Sequence, residues 1–142
     1  MIVRHAEATW EGNLQKGKGH VKSGSGVVNH PYSFGTRFEN GPGTNPEELI
    51  GAAHSACFSM ALSAMLAAGG KTATRVTTKA DVSLDKVGEG FKITKIQLTC
   101  DAVVPGIDDK TFQETAAKAK AGCPISQALA ATPIELKATL LK

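Results

Sequence analysis

The longest uncharged stretch most constrains what this chain can fold into. Between Glu48 and Lys71 there is no Asp, Glu, Lys or Arg. The run opens with Asn45-Pro46-Glu47-Glu48 and closes with Gly69-Gly70. Asn45 can accept from a free N–H of a first helical turn, and Pro46 suits the first helical position because its missing N–H costs nothing there. Glu47 and Glu48 complement the positive end of a helix dipole. The paired glycines can take the left-handed conformation that ends a helix. The pattern predicts a helix that starts at Pro46 and stops at Gly69-Gly70, apolar nearly all round and therefore buried nearly all round.

A run this long meets the length test for a membrane span. Its composition argues otherwise: it is mostly Ala, Gly and Ser, holds His54 and Cys57, starts with two acids and has no Trp or Tyr at its ends. The better reading is a core helix of about 34 Å, at ~1.5 Å per residue. A small domain cannot surround such a helix alone, so a second copy of the chain is expected to cover it. Gly51, Ala52, Ala53, Ser55 and Ala56 would let another backbone come close. Cys57 follows His54 by three residues, so the two can share a side of the helix. Glu47 lies about 15 Å before Cys57 along the axis, too far for direct contact. It could act there only through a long side chain such as an arginine.

The 142 residues suffice for one domain, 1–142, with its own core. The net charge of +3, without a Lys/Arg run, gives no footprint for nucleic acid. The opening Met1-Ile2-Val3-Arg4-His5 shows no apolar signal region, and three cysteines do not make a secreted disulfide framework. The expectation is a cytoplasmic protein whose cysteines serve as thiols or in catalysis. Gly17-Lys18-Gly19 and Gly24-Ser25-Gly26 lack the spacing of a phosphate-binding loop, so nucleotide binding is set aside.

Along the chain, residues 2–10 read as a strand turning at Trp10-Glu11-Gly12-Asn13, and residues 14–31 as hairpin turns between short strands. Ser33 to Glu39 reads as a further strand, which makes Arg37 a solvated strand arginine by pattern. Residues 74–87 alternate with Val76, Thr78, Ala80, Val82 and Leu84 on one face. Residues 91–104 alternate too, but the phase changes between Ile93 and Ile96, which predicts a bulge near Thr94. Cys100 falls on that strand's apolar face, as a small buried hydrophobe would. Asp108 or Asp109 caps a helix over 110–121. Pro124 then places Cys123 at the cap of a short third helix, a position that suits either a buried cysteine or a thiolate facing free N–H groups. Ile134, Leu136, Ala138 and Leu140 share one face of a closing strand. The order gives an α+β fold with largely antiparallel sheet.

These motifs resemble the OsmC/Ohr family of hydroperoxide reductases. The resemblance rests on Asn45-Pro46-Glu47-Glu48-Leu49, on Ala52-Ala53-His54-Ser55-Ala56-Cys57-Phe58-Ser59, and on Lys118-Ala119-Lys120-Ala121-Gly122-Cys123-Pro124-Ile125-Ser126. Trp10-Glu11-Gly12, Thr36-Arg37-Phe38-Glu39 and Asp81-Val82-Ser83-Leu84-Asp85 match its OsmC branch. The resemblance implies an intertwined homodimer with antiparallel sheets wrapped around long central helices and active sites at the subunit interface. It also implies a peroxidatic Cys57, a resolving Cys123, and Arg37 with Glu47 as a supporting ion pair. The implied substrates are organic hydroperoxides, with hydrogen peroxide reduced less well. A dithiol reductant such as a lipoylated protein regenerates the enzyme, and no resident cofactor, metal, nucleic acid or membrane is implied.

The residue types suit that chemistry. A thiol in an apolar helix has a raised pKa and is inert, and a guanidinium reverses this by favouring the anion. The arginine needs an acid when buried, which Glu47 can supply. The product is a sulfenic acid, and a second thiol condenses with it to a disulfide before further oxidation. Two other functions compete. His54, Cys57 and Cys123 could bind a metal or a small ligand in a stress protein without peroxidase activity, but they offer only three ligands. A general thiol–disulfide oxidoreductase would be expected to carry Cys-x-x-Cys, which is absent.

Overall fold

The computed structural model describes residues 1–142, which form two compact units, Met1–Leu49 and Ile50–Lys142. In the first unit, β1 (Ala6–Glu11), β2 (Lys18–Ser23) and β3 (Asn29–Tyr32) form an antiparallel sheet in that order. Trp10 on β1 and Tyr32 on β3 pack across it with ring centroids 5.5 Å apart.

The segment after β3 differs from the sequence expectation. Ser33 to Glu39 is not a strand; Phe34–Phe38 form a short helix, α1, so Arg37 is a helical residue. Local side-chain bonding decides the matter. Ser33 Oγ accepts from the Thr36 N–H at 3.3 Å, and Thr36 Oγ1 accepts from the Ser33 N–H at 2.9 Å. This reciprocal capping box satisfies two N–H groups and outweighs the strand preference of Phe34, Thr36 and Phe38.

The long helix α2 (Pro46–Ala68) starts and stops as its sequence signals require. Asn45 Oδ1 accepts from the Glu48 N–H at 2.8 Å, while Asn45 Nδ2 donates to the Thr36 carbonyl at 3.1 Å. One side chain thus caps α2 and ties it to α1. At the other end Gly70 takes φ +77, its N–H donates to the Ala67 carbonyl, and the Lys71 N–H reaches the Leu66 carbonyl. That pairing is the Schellman closure, which a residue with a Cβ adopts only under strain.

The burial of α2 departs from the all-round expectation. Gly51, His54, Phe58, Leu62 and Leu66 are buried at spacings of three and four, while Met60 is 75% exposed. A single chain covers one stripe of the helix. By length and composition α2 could cross a membrane, but this stripe is packed against the chain's own sheet.

That sheet belongs to the second unit and is ordered β4 (Arg75–Val87), β5 (Gly90–Val103), β6 (Ile134–Leu141). Ser83 pairs with Lys95 and Leu84 with Ile93, which leaves Thr94 as the extra residue of the expected bulge. β6 runs parallel to β5, from Ile96 opposite Ile134 to Val103 opposite Leu141. Alternation alone does not give this direction. It follows from the crossover of α3 (Asp109–Gly122) and α4 (Pro124–Ala128), since parallel neighbours need a long connection. Phe58, Leu62 and Leu66 of α2, Ile96, Leu98 and Cys100 of β5, and Phe112 and Ala116 of α3 make one core. Each fully buried Phe or Leu contributes roughly 1.5–3 kcal/mol. Gly51 lets α2 come close to β4, because a Cβ there would sit 3.2 Å from the Ala80 carbonyl oxygen.

The double role of Asn45 is separable. Asn45→Ala should lower stability by about 1–2 kcal/mol in urea denaturation, through loss of the cap and of the Thr36 bond. Asn45→Asp keeps the cap acceptor and should lose less.

Candidate active site

The expected site residues form two pairs, one in each unit. In the second unit the packing of α2 fixes Cys57, and the turn between α3 and α4 fixes Cys123. Phe112, Ala116 and Ala119 bury one face of α3 at helical spacing, and Asp108 caps it by accepting from the Thr111 N–H at 2.9 Å. The chain leaves α3 through Cys123 in extended backbone, φ −62 and ψ 134, and Pro124 opens α4. Cys123 is the N-cap of that short helix, and its Sγ accepts from the Ser126 N–H at 3.3 Å. The residue is fully buried, whereas Cys57 is half-buried. All three cysteines are free thiols.

Cys57 and Cys123 lie close enough for each thiol to shift the ionisation of the other. Their environments push them apart. Burial raises the pKa of Cys57, the Ile125 N–H partly opposes this, and the Cys123 sulfur raises it further. Burial also pushes Cys123 up, but bonds from the Ser126 hydroxyl, the Ser126 N–H, the Cys57 thiol and the Ile125 N–H outweigh it. The net result lies below the ordinary thiol value. No cation acts on Cys57 among these groups. Cys100 is fully buried on β5 and raised by burial, against which the Thr78 hydroxyl works, as its expected packing role requires.

Two neighbouring residues lie outside the catalytic set expected from the sequence, where His54 entered only as a candidate metal ligand and Ser126 had no role. His54, one turn before Cys57, is fully buried, and its Nε2 lies 2.7 Å from Ser126 Oγ on α4. Its Nδ1 has no partner, and burial lowers its pKa, which keeps the imidazole neutral. A histidine three residues from a cysteine in an otherwise apolar helix is the visible signal for His54. Ser126 stands in the Cys123 motif with no role of its own.

In the first unit, Arg37 on α1 and Glu47 in the first turn of α2 are paired in fork geometry. Arg37 Nε donates to Oε1 and Oε2 of Glu47 at 3.2 Å each, and an Nη donates to Oε1 at 2.8 Å. Glu47 is only 7% exposed, and the guanidinium carbon lies 5.2 Å from the centre of the Phe38 ring. Arg37 also lines a cavity of about 410 Å³ with Trp10, Leu14, Tyr32, Phe34 and Phe38.

An α+β fold in which a long helix brings one thiol against a second, hydrogen-bonded thiol defines a two-cysteine thiol protein. The chain belongs to the OsmC-like protein family, which residues 39–138 match. It is 60% identical over 131 residues, 92% of both chains, to Peroxiredoxin OsmC of Escherichia coli (strain K12). It is 36% identical over 89 residues, 62% of this chain and 61% of the relative, to an organic hydroperoxide resistance protein of Xanthomonas axonopodis pv. citri. Among solved structures, the organic hydroperoxide resistance protein OhrB of Bacillus subtilis matches with a TM-score of 0.71 and 27% identity, covering 95% of this chain and 98% of that one. An OsmC protein of Legionella pneumophila shares the fold, with a TM-score of 0.74 and 24% identity over 99% of this chain and 100% of that one.

The bidentate ion pair has a direct consequence. Glu47→Gln leaves the guanidinium without its counter-charge and should cost about 1–3 kcal/mol in urea denaturation. An unchanged midpoint would show that the pair does not anchor α1 to α2.

Proposed function

We propose that this chain is a thiol-dependent peroxidase that reduces organic hydroperoxides to alcohols, with hydrogen peroxide a poorer substrate. The observation that carries this reading is that Cys57 and Cys123 lie close enough to act on each other's ionisation, two thiols held in unlike electrostatic environments. The similarity to Peroxiredoxin OsmC over most of both chains supports it.

In the first step the Cys57 thiolate attacks one oxygen of ROOH. An S–O bond forms, the O–O bond breaks, and the leaving alkoxide takes up a proton to give ROH. Sulfur is oxidised to a sulfenic acid. In the second step the Cys123 thiolate attacks the Cys57 sulfur; the S–S bond forms, the S–O bond breaks, and hydroxide leaves as water after protonation. An external dithiol, a lipoylated protein being one candidate class, reduces the disulfide.

Cys57 needs a cation for the first step, because burial and Cys123 both hold its thiol high. Arg37, oriented by Glu47, is the residue we assign to that task. A guanidinium favours the thiolate and then the developing alkoxide. The aromatic lining around Arg37 supports a preference for organic peroxides. The exposed side of α2, Met60 included, supports a homodimer in which a second copy covers it. Sedimentation at micromolar concentration checks that assembly, and a folded monomer would contradict it. The free cysteines support a reducing, cytoplasmic setting.

Cys57→Ser should abolish peroxide consumption. Cys123→Ser should keep the first turnover, lose steady cycling, and accumulate sulfinic acid on Cys57 in mass spectra. Cumene hydroperoxide consumption by Cys57→Ser at the wild-type rate would sink the assignment. Arg37→Met should slow the first step at least about tenfold at neutral pH and move its pH midpoint upward, since a neighbouring guanidinium lowers an acidic pKa by roughly 1–3 units. A stopped-flow pH profile identical to that of the wild type would remove Arg37 from the mechanism.

A further inference from the structure

We infer that His54 and Ser126 form a hydrogen-bonded positioning pair for Cys123, in which the bond between His54 Nε2 and Ser126 Oγ ties α2 to α4 and keeps the Ser126 N–H on the Cys123 sulfur. This inference rests on the peroxidase reading for its second step, the attack of Cys123 on the oxidised Cys57.

The geometry sets the links of the chain. His54 and Cys57 on α2 face Ser126 on α4 and Cys123 at its N-cap, and each pair is spaced by three. His54 meets Ser126 at 2.7 Å, and Cys57 meets Cys123. The Ser126 N–H donates to the Cys123 sulfur at 3.3 Å, and the hydroxyl of the same residue is bonded to His54. His54 Nδ1 is the one buried side-chain nitrogen or oxygen without a partner in the chain. A fully buried histidine with an unmet polar atom is costly where a leucine would pack without penalty. The fixed orientation of Ser126 offsets that cost.

No charged side chain contributes to the environment of Cys123. The groups acting on its sulfur are Ser126, Cys57 and the Ile125 N–H. Lys120, a turn earlier on α3, directs its ammonium to the Ile134 carbonyl at 3.2 Å. The donor seen on the Cys123 sulfur is therefore neutral, the Ser126 N–H, and the His54 bond to the Ser126 side chain keeps it in place. When Cys123 attacks, its electron pair forms the S–S bond and hydroxide leaves Cys57. His54 keeps its proton throughout and acts only through Ser126.

The test titrates thiolate ultraviolet absorbance against pH in a Cys57→Ser, Cys100→Ala background, where Cys123 is the only thiol. Adding Ser126→Ala should raise the midpoint by about one unit, a shift typical of a lost hydrogen bond to the charged form. His54→Leu should raise it in the same direction by less. His54→Gln places an amide N–H near the position of Nε2 and should restore the parent midpoint. In the otherwise wild-type chain, Ser126→Ala should over-oxidise Cys57 at a severalfold lower peroxide dose. Unmoved midpoints in folded Ser126→Ala and His54→Leu proteins would overturn the inference, as would a His54→Gln shift equal to that of His54→Leu. The Ser126→Ala titration decides alone if the His54 variants do not fold. It uses no peroxide, so its failure is distinct from failure of the peroxidase reading, which a wild-type protein inert to hydroperoxides would reveal.

Discussion

The contact between Cys57 and Cys123 depends on one packing decision, the seating of α2 on the β4–β5–β6 sheet through Phe58, Leu62 and Leu66. That stripe fixes the rotation of the helix, and rotation decides which side chains meet α4. Phe58 goes into the core, so its neighbour Cys57 is left half-buried at the edge of that stripe. Leu98 and Ile96 of β5, Phe112 of α3 and the small Ala116 and Ala119 complete the same core and set where α3 ends. Because α3 ends at Gly122, Cys123 falls in the turn with Pro124 behind it. The placing of the two thiols is thus a by-product of apolar packing, held by residues with no role in the proposed chemistry.

Electrostatics then makes the two thiols unequal. Both are desolvated, which by itself would leave both protonated and slow. Cys123 recovers through neutral donors supplied by α4, while burial and the neighbouring Cys123 make Cys57 harder to ionise. A pair arranged in this way is suited to the second step before the first. In the proposed mechanism the activation of Cys57 falls to a positive charge, the role assigned to Arg37, whose fork on Glu47 fixes its guanidinium as a lysine could not.

Much of this was legible in the sequence, for local reasons. Asn45, Pro46 and the paired glycines act within a few residues of themselves, so the ends of α2 could be read directly. The phase change between Ile93 and Ile96 revealed the bulge because side chains on a strand alternate strictly. α1 was misread as a strand because alternation in Ser33–Glu39 is short, and the winning term was a pair of side-chain hydrogen bonds invisible to periodicity. The parallel pairing of β6 was not legible either, because strand direction depends on where the crossover returns. Cys57, Cys123, Arg37 and Glu47 were singled out by family resemblance; pattern alone left Cys123 open and made Arg37 a surface residue. Ser126 stood in the Cys123 motif but with no role, since its partner is 72 residues away.

The central claim is that Cys57 and Cys123 of one chain are redox partners while Cys100 is packing. Peptide mapping under non-reducing conditions, after one equivalent of cumene hydroperoxide per chain, tests it most directly. The account predicts one intrachain Cys57–Cys123 disulfide with Cys100 recovered as the free thiol. A disulfide involving Cys100, a bond between chains, or two unmodified thiols at Cys57 and Cys123 would contradict it.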